Sequence, residues 1–492
     1  MISNVPALLF VIPFMAAIVI AAAGWVVRGL ARPLALFALA LTAGVSVLSL
    51  ARVLEHGTLQ GRMGGWPPPI GIELLVDPLS AFIAVVVAVV ALVVVTGSTA
   101  QVRPELGDRE TVYYACVLLM VSGLMGMVVT GDLFNLFVHL EVASISAYAL
   151  VAAGGRGAPR AGLNYLIIGS MGASLYLMGV GFLFAATGSL NMADVARLIG
   201  DADSRLVVVG GLLIVGGLGI KMALFPLHMW MPAAYSRAPV ASASLMAPLV
   251  TKVSAYALIR VLFWVFGGGT LQADRVLLEL LTVAGAAAMV GGGLMAFVQT
   301  DLRRLLAYSS IGQMGVVALG IGLANTAGLT GAVLHIANDA LMKGVLFLAA
   351  GIALLRFGAR DVTDLGRLRG RAPWTSAAVA VAGLSLVGIP PLSGFFGKWY
   401  VLSGTLADGR YILAGALVVG SLASVGYVFR IFEQLFFGKP PGDELDSPLR
   451  REGDVPVVVA CVLLAALIVV LGIGNERVVS LLILPALPGG AP

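Results

Sequence analysis

The stretch Gly219-Ile220-Lys221-Met222-Ala223-Leu224-Phe225-Pro226-Leu227-His228-Met229-Trp230-Met231-Pro232 sets two prolines and a lysine inside an otherwise apolar run. A second stretch, Gly388-Ile389-Pro390-Pro391-Leu392-Ser393-Gly394-Phe395-Phe396-Gly397-Lys398, repeats the combination. Proline removes a backbone donor and clashes with the carbonyl four residues earlier, so a helix through either run should break or kink. In lipid, the freed backbone groups are tolerated only where protein or trapped water satisfies them. One such run alone reads as an ordinary proline kink. Two of them, five spans apart and each with a lysine within about seven residues of its prolines, are the pattern left by two structural repeats.

The sequence around them is written for a bilayer. The 492 residues are 60% hydrophobic and only 11% charged, far more apolar than a soluble core can use. Runs of roughly 18 or more apolar residues, enough for a helix to cross about 30 Å of hydrocarbon, recur from end to end. About fourteen spans are expected, the seventh and twelfth broken, in an all-α polytopic membrane protein. Spans one to three fall in 1–111, a first five-helix repeat in 112–267, a second in 275–437, and the last span with a tail in 455–492. The first apolar run has no basic leader and continues past Trp25, so it reads as a span rather than a signal peptide. The connection from Arg52 to Val76, with Gly64-Gly65-Trp66-Pro67-Pro68-Pro69 at its centre, reads as an ordered cap or hairpin.

The net charge of +5 comes from 25 arginines and five lysines against 25 acids, and it forms no basic block that would suggest nucleic acid. It reads as topology. Alternate loops divide the basic residues into about 17 on the side of Arg28, Arg103, Arg156, Arg303, Arg367 and Arg450 and about 7 on the other, which places both termini away from the cytoplasm. Cys116 and Cys461 lie in separate apolar runs, so neither a disulfide framework nor a paired-cysteine metal site is expected.

Four of the five lysines, Lys221, Lys252, Lys343 and Lys398, fall inside spans, while nearly all arginines lie at span ends or in loops; only Lys439 reads as a surface residue. Each of the four sits roughly 18 to 22 Å along its helix, too deep for easy snorkelling. A lysine at a helix centre costs about 2.5 to 3.5 kcal/mol on insertion scales, so four cost on the order of 10 kcal/mol before partners are supplied. That rivals the whole stability of a domain. Few acids are available to pair with them: Glu141 at mid-span, Asp339, and Asp132 and Glu433 nearer span ends. A buried lysine can lose its proton, whereas arginine stays charged, so lysine suits a proton relay. Glu141 is the natural partner of Lys221 and the pair could act as a switch, because a carboxylate brought near an ammonium favours the protonated amine and one moved away favours proton loss.

Three histidines, His139, His228 and His335, also fall within spans. Imidazole is a proton carrier and a metal or haem ligand, although a lone membrane histidine is more often a hydrogen-bonding group. His335, Asp339 and Lys343 are spaced i, i+4 and i+8, which stacks three ionisable groups along one helix face, the spacing of a proton wire. Asp132 and Asp77, the latter before Pro78, read as helix caps. No HExxH, GxxxxGK[ST] or GxSxG pattern occurs, so nucleotide, metal and cofactor chemistry are not expected. Glycine pairs such as Gly210-Gly211, Gly216-Gly217 and Gly291-Gly292-Gly293 read as close helix packing rather than phosphate loops.

Together these residues resemble the antiporter-like family shared by multisubunit Mrp cation/proton antiporters and the proton-pumping arm of respiratory complex I. The resemblance spans the chain. It rests on Asp77-Pro78-Leu79-Ser80, Glu141, the stretch from Lys221 to Pro232, the segment from Pro239 to Lys252, Asp301-Leu302-Arg303-Arg304-Leu305-Leu306-Ala307-Tyr308-Ser309-Ser310 and Pro390-Pro391-Leu392-Ser393-Gly394-Phe395. It implies fourteen helices, two inverted five-helix repeats and a buried polar line parallel to the membrane. In that line Glu141 and Lys221 would be the coupling pair, Lys252 the central relay, His335 and Lys343 its continuation, and Lys398 the terminal site. Length and Lys398, where some complex I relatives carry glutamate, bring the resemblance nearer to the MrpD-type antiporter component. The function implied is a transporter component rather than an enzyme, conducting protons in exchange for sodium or another monovalent cation when assembled with other membrane subunits. A redox-driven proton-translocating component is the alternative. Hard cations need converging oxygen ligands, and the mid-span acids are few, so sodium is expected to use another subunit.

Overall fold

The computed structural model describes residues 5–24, 26, 27, 29–268, 272–438 and 452–487; Trp25, Arg28, Lys439, Arg450 and the end of the 455–492 segment lie outside them. The chain is a multi-pass helical membrane protein. Helices α1 (Val5–Ala23) and α2 (Ala31–His56) are followed by a hairpin of β1 (Leu59–Arg62) and β2 (Glu73–Val76), paired antiparallel with Leu59 opposite Val76. The glycine- and proline-rich connection is therefore a hairpin.

There follow α3 (Pro78–Leu106), α4 (Glu110–Val129), α5 (Leu133–Ala152), α6 (Ala158–Thr187), the short α7 (Met192–Leu198), α8 (Ser204–Lys221), α9 (Met231–Arg237) and α10 (Val240–Arg260). The second half holds α11 (Gln272–Phe297), α12 (Leu302–Gly322), α13 (Thr326–Phe357), α14 (Pro373–Val387), α15 (Ser393–Ala407), α16 (Tyr411–Phe432), α17 (Val455–Ile473) and a last turn, α18 (Asn475–Val478). Among the described residues twelve stretches are long and apolar enough to cross a membrane, and one of them, Pro78–Val129, contains both α3 and α4. The broken pair α14 and α15 makes a further crossing, in agreement with about fourteen spans.

Side-chain caps set many of the starts. Asp77 forms a reciprocal capping box with Ser80 ahead of Pro78, and Asp132, Asn191, Asp301 and Asn325 each accept a first-turn N–H of α5, α7, α12 and α13. α10 begins without a cap of its own; Glu105, at the end of α3, accepts from the Val240 N–H at 2.8 Å instead.

Both proline runs break. α8 stops at Lys221, Ala223 takes a positive φ of 56°, and helix resumes at Met231. The carbonyl of Ile220 freed by the break accepts from the Trp230 indole at 2.9 Å. At the second break α14 ends in the left-handed Gly388, and the Ser393 carbonyl beyond it accepts from Asn338 of α13 at 2.6 Å. Protein side chains thus meet the backbone demand that lipid cannot.

One backbone junction recurs. Asp132, which starts α5, bridges Asn191 after α6, with Leu133 N–H donating to Leu190 O and Met192 N–H to Gly131 O. Asp301, which starts α12, bridges Asp361 after α13, with Leu302 N–H donating to Arg360 O and Val362 N–H to Thr300 O. The first junction shares a cavity with Arg260 and the second shares one with Arg237, so they flank opposite ends of α10. We take this inverted recurrence as support for the proposed repeats 112–267 and 275–437.

α10, α12 and α13 form the interior: every residue of α10 is buried, whereas most of α1 and α16 is only half-buried or exposed. Glycine permits the closest approaches around them. A Cβ on Gly217 would stand 2.5 Å from Gly172 O of α6, and one on Gly292 would stand 2.5 Å from the Gly312 N of α12. Gly216, by contrast, faces open space, so that part of the packing expectation fails: its helix turns it to the outside. Because the atom met at Gly292 is backbone and cannot rotate away, Gly292→Ala is expected to force α11 from α12 and cost about 1–3 kcal/mol, read as a lower thermal midpoint of the purified protein. Gly216→Ala should leave that midpoint at or above its original value.

Candidate functional site

The buried ionisable groups form four stations. At the first, α5 presents Glu141, Ser144 and Tyr148, spaced i, i+3 and i+7 on one helix face, to the last residue of α8. Lys221 Nζ donates to Ser144 Oγ at 2.8 Å, Tyr148 OH at 3.0 Å and Glu141 Oε1 at 3.4 Å. The hydroxyls are the tighter partners and the carboxylate the looser one. Lys221 is 4% exposed and Glu141 24%, so the acid has an open side. Tyr148 is held edge-on to Tyr165 of α6, which stacks on Trp230 at 4.0 Å. Trp230 is the residue that bonds Ile220 O, so the aromatic column ties the helix break to the lysine's other contacts.

At the second, Lys252 of α10 donates to Ala247 O at 2.8 Å and forms an ion pair with Asp339 Oδ2 of α13 at 2.6 Å, both side chains being buried. Asp339 Oδ1 has no hydrogen-bond partner among the described residues. At the third, Lys343 Nζ bonds Ser309 Oγ of α12 at 2.5 Å, with Leu306 O at 3.5 Å. At the fourth, Lys398 reaches back from α15 to donate to Leu386 O at 2.8 Å and Val387 O at 3.2 Å, the carbonyl end of α14, where a cation is favoured. Among the described residues neither Lys343 nor Lys398 has an ion pair, so charges do outnumber acids.

His335 lies between the last two stations. Its Nε2 meets Gln313 Oε1 of α12 at 2.9 Å, and a Cβ on Gly397, the neighbour of Lys398, would fall 2.8 Å from its Nδ1. His335, Asp339 and Lys343 do share a face of α13, but they do not contact one another in series. Each reaches a different neighbour, to Gln313, Lys252 and Ser309, because α10 and α12 both pack on that face. The shared face of α13 is thus also cross-linked to α10 and α12.

Some partners were not legible as such. Ser144, Tyr148, Ser309 and Gln313 are ordinary polar residues in sequence, although the i, i+3, i+7 spacing on α5 was available as a signal. Asp77 caps α3 as expected and also forms an ion pair with Arg260, whose Nε donates to Tyr256 OH at 2.7 Å and whose guanidinium lies 4.4 Å from the Trp264 ring. Arg260 ends α10, a place where arginines are expected, but its side chain is buried and turned inward to Asp77. Glu433 is exposed, and Asp132 only caps α5, so neither joins the stations. His139 packs edge-on to Phe10 and over Gly126, a packing role. His228 stacks on Phe225, faces Tyr308 and lines a cavity of about 560 Å³ with Arg304 and Asp301. Its Nδ1 is buried without a partner. Among the described residues no three His, Cys, Asp or Glu side chains are placed to hold a metal ion.

Tyr148→Phe removes one of the two tight acceptors at Lys221 and leaves the ring column. A neutral hydrogen bond contributes about 0.5–1.5 kcal/mol, so any ion exchange carried through Lys221 is expected to slow by roughly threefold to tenfold, measured as the initial rate in vesicles at matched abundance.

The sequence profile described as "NADH:quinone oxidoreductase/Mrp antiporter, TM" matches residues 130–424, the region holding every station. The chain is 43% identical over 468 residues to the N subunit of NADH-quinone oxidoreductase from Desulforudis audaxviator (strain MP104C), covering 92% of each. It is 31% identical over 436 residues to the D subunit of the Na(+)/H(+) antiporter from Bacillus subtilis (strain 168), covering 88% of this chain and 87% of that one. Its fold superposes with a TM-score of 0.89 and 30% identity on a chain of the membrane-bound sulfane sulfur reductase, an archaeal respiratory membrane complex, covering 98% of this chain and 96% of the other.

Proposed function

Because the chain belongs to the NADH:quinone oxidoreductase/Mrp antiporter transmembrane family, we propose that it is the proton-conducting subunit of a multisubunit cation/proton antiporter, sodium being the preferred cation. The observation that carries this reading is Lys221 at a helix break, held by two hydroxyls and only loosely by Glu141. Glu141 and Lys221 form the coupling pair: closing the 3.4 Å gap favours the ammonium, and widening it favours release of a proton. Lys252 is the central relay, its charge balanced by Asp339. Lys343 and His335 continue the line, and Lys398 ends it. His228 joins the line to the vestibule on the arginine-rich side.

By the loop charges that side is cytoplasmic and both termini lie opposite, in a bacterial plasma membrane. Other membrane subunits of the complex are its partners, and sodium crosses through one of them, since the buried acids here are already engaged with lysines. A second reading, a proton-translocating component powered by electron transfer in partner chains, is favoured by the 43% identity to a protein named as part of NADH-quinone oxidoreductase.

Everted vesicles containing the operon-encoded complex separate the two. Sodium-driven proton movement without NADH supports the antiporter. Its absence, with proton pumping on NADH addition, moves the chain to the redox-driven reading.

A further inference from the structure

A second cavity, of about 750 Å³, opens where α6 begins, and four of the residues around it are arginines: Arg156, Arg160, Arg237 and Arg360. No carboxylate among the described residues lines it. Arg360 is paired with Asp301 outside the cavity, while Arg156, Arg160 and Arg237 are exposed and have no ion pair among the described residues. Arg156 and Arg237 also line a neighbouring cavity with Glu105, but within this concavity the like charges repel one another, so the arrangement is suited to an anion. α6 starts here at a left-handed Gly157 with no side-chain cap, and the N-terminus of a helix favours negative charge.

The surface below the arginines is apolar. Leu163, Ile167 and Met171, 58%, 51% and 58% exposed, continue the Arg160 face down α6 toward the bilayer interior. A water-soluble anion would use the arginines and leave this stripe idle. An amphiphile would use both.

We propose that this concavity binds the phosphate-bearing headgroup of an anionic phospholipid, with an acyl chain lying along Leu163, Ile167 and Met171. The arginine-rich side is the one the loop charges assign to the cytoplasm, where anionic lipid is met by basic pockets between helices. The inference does not depend on which cation the complex exchanges, because none of the four buried lysines lines the concavity, although Arg237 and Arg360 also line the vestibule beside His228.

The test uses the assembled complex in nanodiscs doped with phosphatidylglycerol or phosphatidylcholine carrying a diazirine in one acyl chain, with adducts mapped to the α6 peptide. Phosphatidylglycerol is expected to label the segment 163–171 and phosphatidylcholine to label it weakly. Each basic residue near a membrane surface contributes roughly fivefold in affinity. The combined Arg156→Gln, Arg160→Gln, Arg237→Gln variant should therefore weaken phosphatidylglycerol labelling by on the order of a hundredfold, toward the phosphatidylcholine level. Arg205→Gln, at the start of α8, should leave labelling unchanged, and an unaltered thermal midpoint of the triple variant shows that it is folded. Should the triple variant misfold, Arg160→Gln alone should lower labelling about fivefold. Equal labelling by both lipids, or labelling indifferent to the arginines, would each overturn the proposal.

Discussion

Lys221→Ala is expected to bring sodium-dependent proton exchange in everted vesicles down by about a hundredfold or more, the scale on which removal of a positioned proton-transfer group acts. The complex should still assemble. The substitution removes a buried ammonium that three α5 side chains hold, and the Glu141 it leaves behind is a quarter exposed and can be solvated. Lys221→Arg sharpens the expectation. A guanidinium keeps the charge beside Glu141 but does not give up its proton, so exchange should be lost with this variant too. If Lys221 served only as a counter-ion for Glu141, the arginine would restore exchange, and comparison of the two variants at matched abundance decides the point.

Asp339→Ala should produce the largest loss of stability. Lys252 and Asp339 are both buried and paired at 2.6 Å, and removing the acid leaves an ammonium in a low-dielectric interior. Breaking a buried pair in this way costs about 3–5 kcal/mol, while replacing both members by apolar residues of similar size is often neutral or stabilising. The expected order of thermal midpoints is therefore native, or the Lys252→Met, Asp339→Leu double variant, above Asp339→Ala. Exchange should be absent from both variants, because the double variant restores the fold without restoring a group that titrates. A stable Asp339→Ala protein would mean that water or another group compensates Lys252. An active double variant would remove Lys252 from the relay.

The breaks and the buried lysines were legible because their signals are local. Proline and glycine act within one turn of helix, and a lysine inside an apolar run is conspicuous wherever it sits. The Glu141–Lys221 contact was legible for a related reason: a mid-span carboxylate needs a cation on a neighbouring helix, and Lys221 stands next to a helix break. Nothing comparable identified Lys252 as the partner of Asp339, since that choice depends on how α10 packs on α13, which no periodicity encodes. The i, i+4, i+8 spacing on α13 gave the correct shared face but not the contacts, because neighbours on α10 and α12 draw the three side chains apart. Arg260 was hidden by its position at a helix end, where arginine is ordinary; only the fold brings Asp77 across to it. The hydroxyl partners Ser144, Tyr148 and Ser309 carry no charge to mark them, and they become visible only with the packing of α5 on α8 and of α12 on α13. Which assembly the chain serves is a property of the partner subunits, and the Lys398 that distinguishes some relatives does not by itself decide it.

The relay is tested most directly at Lys343. This lysine has no carboxylate partner among the described residues and bonds Ser309 and a backbone carbonyl, so Lys343→Met strands no opposite charge and removes an insertion cost of about 2.5–3.5 kcal/mol. Misfolding is then a poor explanation for any lost function. Sodium-driven proton movement should be measured in vesicles containing the assembled complex, with the native and Lys343→Met chains at equal abundance. A variant that is at least as stable as the native protein but carries no exchange is the expected result; undiminished exchange would contradict proton conduction through the buried lysine line.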